Sequence, residues 1–312
     1  MNQIQDVNNS EALVAQILAS INSVVLDKEQ SVKMALTCLL ARGHLLLEDL
    51  PGMGKTTLAH ALAQTLGLEY ARVQFTSDLL PADLLGLSVF NRQSSQFDFH
   101  PGPVFNQVLL ADEINRATPK TQSALLEAME ERQVSIEGET RALPAPFFVI
   151  ATQNPVDQSG TFELPESQLD RFALRLSLGY PSERAELRLL QGMDSRQKLS
   201  QMNAVTDAAG VTLLQRGAQA VAAGEALLAY VQRLIAASRN SADILHGLSP
   251  RAAMILVAAA KAWAFIEQRN FVLPEDVQQV FSAVVAHRLR GRSASSDGQL
   301  LAQQLLDEVD VL

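Results

Sequence analysis

The densest chemistry in the chain lies between Asp49 and Thr57. An apolar run, Leu45-Leu46-Leu47, leads into Asp49-Leu50-Pro51-Gly52-Met53-Gly54-Lys55-Thr56-Thr57, and helical spacing continues from Thr57 to Leu66. A strand, a glycine-rich loop and a helix N-terminus together cradle phosphate, so the stretch Pro51, Gly52, Met53, Gly54, Lys55, Thr56 and Thr57 is the candidate nucleotide-binding loop. Gly52 and Gly54 let backbone N–H groups face an anion without a Cβ in the way. The helix N-terminus favours negative charge, Lys55 can reach β- and γ-phosphate oxygens, and the Thr56 hydroxyl can ligate Mg²⁺. Asp49 stands where the P-loop pattern has its first glycine. A carboxylate beside phosphates repels them, so its side chain is expected to turn away.

Fifty-seven residues beyond Lys55, a second apolar run, Val108 to Ala111, ends in Asp112-Glu113. Paired carboxylates at the C-terminal end of a buried strand suit one residue holding Mg²⁺ and the other polarising water. Asp112 is the candidate metal residue and Glu113 the candidate general base. A third run, Phe147 to Ala151, ends in Thr152-Gln153-Asn154, where a polar side chain at a neighbouring strand tip can orient the water or read the γ-phosphate. The alternative is that Asn154-Pro155 simply makes a turn.

These residues need a scaffold that brings several strand ends together. The three runs, near 44–48, 108–112 and 147–151, each hold the continuous apolar positions of a strand buried on both faces. Helical spacing separates them, notably at Pro119 to Glu131 with Thr118 as N-cap and Pro119 as first helical residue. The expectation is a layered α/β domain with ligand at the C-terminal sheet edge. Two segments, near 87–100 and 133–143, alternate with period two around polar turns and read as hairpins, the second turning at Gly138. Beyond Pro181-Ser182 strand signals stop, and Ala, Leu, Gln and Arg recur at helical spacing with clean starts at Ser249-Pro250 and Pro274. The chain is therefore expected to divide into an α/β core over 1–181 and a smaller all-α domain over 182–312. The stretch Gly291 to Gly298 is expected to be mobile, ahead of a last helix from Gln299.

The combination resembles the AAA+ ATPases and, among them, the MoxR family. The resemblance runs from about Val24 to Arg290. It is carried by the 47–56 loop and by Gln74-Phe75-Thr76-Ser77-Asp78-Leu79-Leu80-Pro81. Further on it rests on Ala111-Asp112-Glu113-Ile114-Asn115-Arg116-Ala117, Ala151 to Pro155, Leu164-Pro165-Glu166 with Leu169-Asp170-Arg171-Phe172, and Leu248-Ser249-Pro250-Arg251-Ala252. It implies a three-layer αβα P-loop core with a mainly parallel sheet, followed by a helical lid. It also implies ATP and ADP as ligands, with Mg²⁺. Asn154 takes the place of sensor 1, Arg251 of sensor 2, and Arg171 of the arginine finger that reaches a neighbouring subunit; Arg116 and Arg175 compete for the finger role. Val24 and Val25 match the adenine contacts, although Leu26 replaces the glycine that follows them in the family. A Glu48-Asp49 start to the loop resembles a known family variant. The hairpins match the helix-2 insert and the hairpin before sensor 1. Partners implied are further copies of the chain in a ring, six by analogy, together with a von Willebrand factor A domain protein and a client protein to be remodelled.

Composition narrows the alternatives. The chain has 312 residues, 25 basic and 34 acidic side chains, and a net charge of -9. Up to Tyr180 there are 12 basic against 21 acidic residues, so the whole imbalance lies there (12 − 21 = −9) and the remainder is balanced. That disfavours a nucleic-acid motor on the same fold, and no basic stripe interleaved with aromatics appears. A single cysteine, Cys38, excludes a disulfide framework and fits a reducing compartment. The five histidines show no ligand spacing. Met1-Asn2-Gln3-Ile4-Gln5 lacks a signal pattern, and the greasy stretch Ala252–Ile266 carries Lys261 and is too short to span a bilayer, so a cytoplasmic protein is expected. A non-hydrolysing nucleotide switch is disfavoured by the intact Asp112-Glu113 pair, and a GTPase by the lack of an Asn-Lys-x-Asp motif.

Overall fold

The structure, a computed structural model, describes residues 2–154, 160–191, 195–292 and 297–311. In chain order the strands are β1 (Leu45–Glu48), β2 (Tyr70–Gln74), β3 (Gly86–Asn91), β4 (Gln96–Pro101), β5 (Val108–Asp112), β6 (Gln133–Ile136), β7 (Glu139–Ala142), β8 (Phe148–Gln153), β9 (Leu174–Leu176), β10 (Ile244–His246) and β11 (Arg290–Gly291). Five of them form one sheet in the order β2-β5-β8-β1-β9, with every neighbouring pair parallel. Each central strand alternates its side chains between two cores, because successive residues of a strand point to opposite faces. Leu45, Leu47, Val108, Leu110, Phe148 and Ile150 enter one cluster, which also takes in helices beyond residue 208. Leu46, Leu109, Ala111, Val149 and Ala151 enter the other, against the Pro119–Glu131 helix. Helices thus cover both faces, the αβα layering expected of buried parallel strands.

The three expected strands are present as β1, β5 and β8, and the structure adds β2 and β9 at the two edges. Neither edge strand has a continuous apolar run: β2 carries Arg72 and Gln74, and β9 is three residues long with Arg175 at its centre. Both hairpins form. In β6–β7 the turn places Glu137 (φ 53°) and Gly138 (φ 84°) in the left-handed region, as a two-residue turn matched to strand twist requires.

After Pro181 the chain is helical except for one short antiparallel pair, β10–β11, which the expectation of a strand-free segment misses. Two and three residues are too few for a readable alternation. Ser249 caps the Pro250–Ile266 helix by accepting from the Ala252 N–H at 3.1 Å, and that helix is largely buried. Among the described residues no helix is long and apolar enough to cross a membrane. Residues 293–296 of the Gly291–Gly298 stretch, and Pro155, lie outside the described residues.

Candidate active site

The phosphate-loop residues are placed by β1 and the Lys55–Thr65 helix. Between them Gly52 (φ +86°) and Gly54 (φ +90°) adopt the left-handed conformation, and nothing lies within 4 Å of the Cβ either would carry. Backbone handedness rather than crowding therefore calls for glycine at both positions. Gly54 is the N-cap, which makes Lys55 and Thr56 the first two helical residues, where free N–H groups and the helix dipole converge. Lys55 Nζ donates to the carbonyls of Asp49 (2.6 Å) and Leu50 (2.9 Å). Burial lowers its pKa from the usual lysine value, opposed by the charges of Asp49, Asp112 and Glu113.

Asp49 does turn away. Its buried carboxylate accepts from Ser177 Oγ (2.6 Å), the Leu178 N–H (2.5 Å) and the Gly179 N–H (3.1 Å), just past β9. The residue that replaces the first glycine ties the loop to the end of the sheet's edge strand, and three donors satisfy its charge.

At the tip of β5, Asp112 and Glu113 are held from both sides. Thr152 on β8 donates its hydroxyl to Asp112 Oδ1 (2.6 Å) and accepts from the Glu113 N–H (2.8 Å). Arg72 on β2 reaches Asp112 Oδ2 through Nη2 (2.7 Å) and Nε (3.2 Å). Glu113 sits in the left-handed region at φ 58°, a costly conformation for a non-glycine residue that swings its side chain out of the strand direction. Its carboxylate accepts from Gln74 Nε2 (2.9 Å) and pairs with Arg116 (3.0 Å).

These groups line one cleft of 380 Å³ at the C-terminal edge of β1, β5 and β8. Pro51, Gly52, Gly54, Lys55, Thr56, Thr57, Asp112, Glu113 and the buried Asn154 all border it, with Arg72, Gln74 and Thr152. Among the described residues Met53, Val24 and Val25 do not border it; the two valines are buried in the core at 4% and 7% exposure. The hydroxyl of Thr56 and the carboxylate of Asp112 share the cleft, and these are the hard oxygen donors that suit Mg²⁺. Asp112 Oδ1 keeps a lone pair beyond the bond to Thr152, while Arg72 holds Oδ2 with two donors, so the donor set fits a magnesium ion held through Oδ1 and partly through water.

Arg171 and Arg251 lie elsewhere. They border a separate 300 Å³ cavity with Gly43, His44 and Ala173, residues that precede β1 and β9. This is the N-terminal edge of the sheet, opposite the P-loop. The central strands β1, β5 and β8, four to six residues long, separate the two edges by about 13–20 Å, farther than an arginine side chain reaches. Glu130, at the end of the Pro119–Glu131 helix, pairs with both arginines, at 3.1 Å to Arg171 Nε and in closer contact with Arg251. Of the two competing arginines, Arg116 is paired with Glu113 and Arg175 with Glu48 (2.8 Å), both near the chain's own loop. A larger 680 Å³ groove among the lid helices is lined mostly by apolar side chains such as Leu228, Val231 and Met254 and brings together no comparable polar set.

Sequence reasoning missed Arg72, Gln74 and Glu130 as site residues. Arg72 and Gln74 stand two apart, so they share a face of β2, and the register sets Gln74 opposite Asp112. Recognising Tyr70–Gln74 as a strand would have placed both in the cleft. Glu130 has no local signal, because its partners arrive from residues 41 and 121 positions away.

A P-loop strand and an acidic strand tip in a five-stranded parallel sheet, followed by a helical lid, define an ATPase of the AAA class. Residues 44–174 match the profile of the ATPase family associated with various cellular activities, and residues 236–309 match an AAA lid domain. The chaperone MoxR1 of Mycobacterium tuberculosis is 37% identical over 90% of this chain and 78% of its own length. YeaC of Bacillus subtilis, an uncharacterized protein, is 40% identical over 95% of this chain and 93% of its own. A crystal structure described as that of a candidate ATPase from Cytophaga hutchinsonii superposes with a TM-score of 0.91 at 34% identity, covering 99% and 98% of the two chains. The chain belongs to the MoxR family of AAA+ ATPases.

Proposed function

We propose that the protein is a Mg²⁺-dependent ATPase whose catalytic site is completed between neighbouring copies of the chain. The observation that carries this reading is the division of the residues between opposite sheet edges. Lys55, Thr56, Asp112, Glu113 and Asn154 share the cleft, whereas Arg171 and Arg251 share the far cavity. Two different patches that complement each other make a head-to-tail contact, which forms a ring when the rotation between copies closes. By analogy with the family the ring has six protomers.

In the cleft, the N–H groups of the Gly52–Thr56 loop and the Lys55 ammonium bind the phosphates, with Lys55 exchanging the carbonyls of Asp49 and Leu50 for phosphate oxygens. Thr56 and Asp112 would hold Mg²⁺, which supplies charge neutralisation at the β- and γ-phosphate oxygens. Glu113, aimed out of β5 by its left-handed backbone, accepts the proton of the attacking water, and Asn154 orients that water. Arg171 from the adjoining protomer stabilises the charge of the transferring group, a contribution worth about 10³–10⁵ in rate in other P-loop enzymes. Arg251, held beside Arg171 by Glu130, acts on the same neighbouring nucleotide. Turnover drives chaperone-like remodelling of a client protein, alongside a partner with a von Willebrand factor A domain, in the cytoplasm. The name of the mycobacterial relative, a chaperone, supports that class.

The test is phosphate release from Mg-ATP by the wild type and by Glu113→Gln. The wild type should turn over, and the variant should bind a fluorescent ATP analogue normally while releasing almost no phosphate. A wild-type protein that binds ATP without turnover would make the chain a nucleotide switch instead.

A further inference from the structure

Arg288 follows the Pro274–Val285 helix of the lid, and its side chain is 5% exposed. Its guanidinium is spent on one short piece of the core. Nε donates to Asp170 Oδ1 (2.7 Å), Nη2 to the carbonyls of Asp170 (3.1 Å) and Phe172 (2.6 Å), and Nη1 to the carbonyl of Ala173 (3.2 Å). Its remaining acceptor on the backbone is the Val284 carbonyl, in the helix it follows. Apart from Val284 in the preceding helix and the adjacent His287 ring, its hydrogen-bond partners among the described residues all lie within 170–173, the segment that carries Arg171. Two further lid contacts fall on the same turn: His287 Nε2 is 3.1 Å from the Phe172 carbonyl, and the Ser249 hydroxyl is 3.4 Å from Asp170 Oδ2.

A guanidinium presents five N–H donors in a rigid plane, so one arginine can fix several carbonyls in a set relation, which an ammonium cannot do. Burial sharpens the consequence. A buried carbonyl that loses its partner stays unsatisfied, and the turn would rearrange to find another. The backbone on both sides of Arg171 is therefore attached to the lid as well as to the sheet.

We propose that Arg288 is a positioning residue for Arg171, so that hydrolysis at one protomer's site depends on the lid of the adjoining protomer. This rests on the reading of Arg171 as a residue that acts in trans. A change in lid angle is passed through the Arg288 fork to the 170–173 turn, and Arg171 moves with it. Displacement of a catalytic group by about 1 Å can cost about 10²-fold in rate.

The test uses the full chain with Arg288→Ala and Arg288→Lys. Arg288→Ala should lower kcat about 10²-fold while leaving the affinity for a fluorescent ADP analogue within about twofold, since the variant's own loop is intact. Mixed with Lys55→Ala it should recover activity, because its complete loop then meets an intact finger turn. Arg171→Ala mixed with Lys55→Ala is the reference. Recovery in the reference but not in the Arg288 mixture overturns the proposal and leaves the shared site standing. No recovery in either removes the shared site and the proposal together. Should Arg288→Ala fail to fold, Arg288→Lys, which keeps the charge beside Asp170 but not the fork, should still show lowered kcat and recovery in the mixture. Wild-type kcat in a folded Arg288 variant overturns the proposal.

Discussion

The Thr152 hydroxyl lies 2.6 Å from Asp112 Oδ1 and also accepts from the Glu113 N–H, so one side chain on β8 fixes both acidic residues at the tip of β5. Replacing Thr152 by Val keeps the shape and removes both bonds. kcat should fall about tenfold, the rate equivalent of roughly 1.4 kcal/mol of lost hydrogen bonding. Thr152→Ser should retain most activity. Phosphate-release kinetics on the two variants decide the matter, and equal kcat in Val and wild type would contradict the role given to this hydroxyl.

Arg72 places a cation 2.7 Å from the carboxylate proposed to serve magnesium, and its side chain is half exposed. An Arg72→Met variant should therefore need less Mg²⁺ for half-maximal ATPase, by up to about fivefold, the scale of a partly exposed ion pair near 1 kcal/mol. The difference should shrink as salt is raised. A higher Mg²⁺ requirement would mean that Arg72 supports the metal site rather than competing with it.

Asp49 is the unusual residue of the loop, and its three acceptor bonds make it a structural tie. Asp49→Ala leaves the buried Leu178 N–H without its partner and should cost about 2–4 kcal/mol of stability. The urea midpoint should drop accordingly. A glycine there, which restores the common loop pattern, should be no better than alanine.

His44 is buried between Val149 and Met129, with Nδ1 accepting from the Val149 N–H (3.0 Å) and Nε2 facing the Met129 carbonyl (3.2 Å). Only the neutral ring protonated on Nε2 satisfies both. Burial, the largest cause, pushes its pKa down to about 4 from 6.5, helped by Arg132 and opposed by the bond to the Met129 carbonyl. Between those values the unfolded chain binds the proton and the native one does not, so stability is full above about pH 6.5 and falls as pH drops toward 4. The loss should approach roughly 3 kcal/mol near pH 4, and buried His287, whose pKa is also lowered by burial, acts in the same direction. Urea titrations at pH 7.5 and 5 should show the decline, and His44→Gln should flatten it.

The parts of the fold with long local signals were legible in the chain. Three buried strands, the Pro119–Glu131 helix and the two hairpins follow from apolar runs, a proline start and period-two alternation. Edge strands β2 and β9 were not legible, because half-solvated strands carry arginines where central ones carry leucine. The same divide governs the site. Gly52, Lys55, Asp112 and Glu113 announce themselves through neighbours in sequence, and the structure gathers them in one cleft. Glu130, Arg72 and Arg288 act through partners dozens of residues away, which no local pattern records. The location of Arg171 and Arg251 on the far edge from the loop is a property of topology alone.

The measurement that bears most directly on the shared site mixes two inactive variants, Lys55→Ala and Arg171→Ala, in equal amounts under conditions that allow protomers to exchange. In a head-to-tail ring roughly a quarter of the interfaces then join an intact loop to an intact arginine. Phosphate release should recover to a comparable fraction of the wild-type rate. A mixture as inactive as its two components would contradict an Arg171 that acts across the interface.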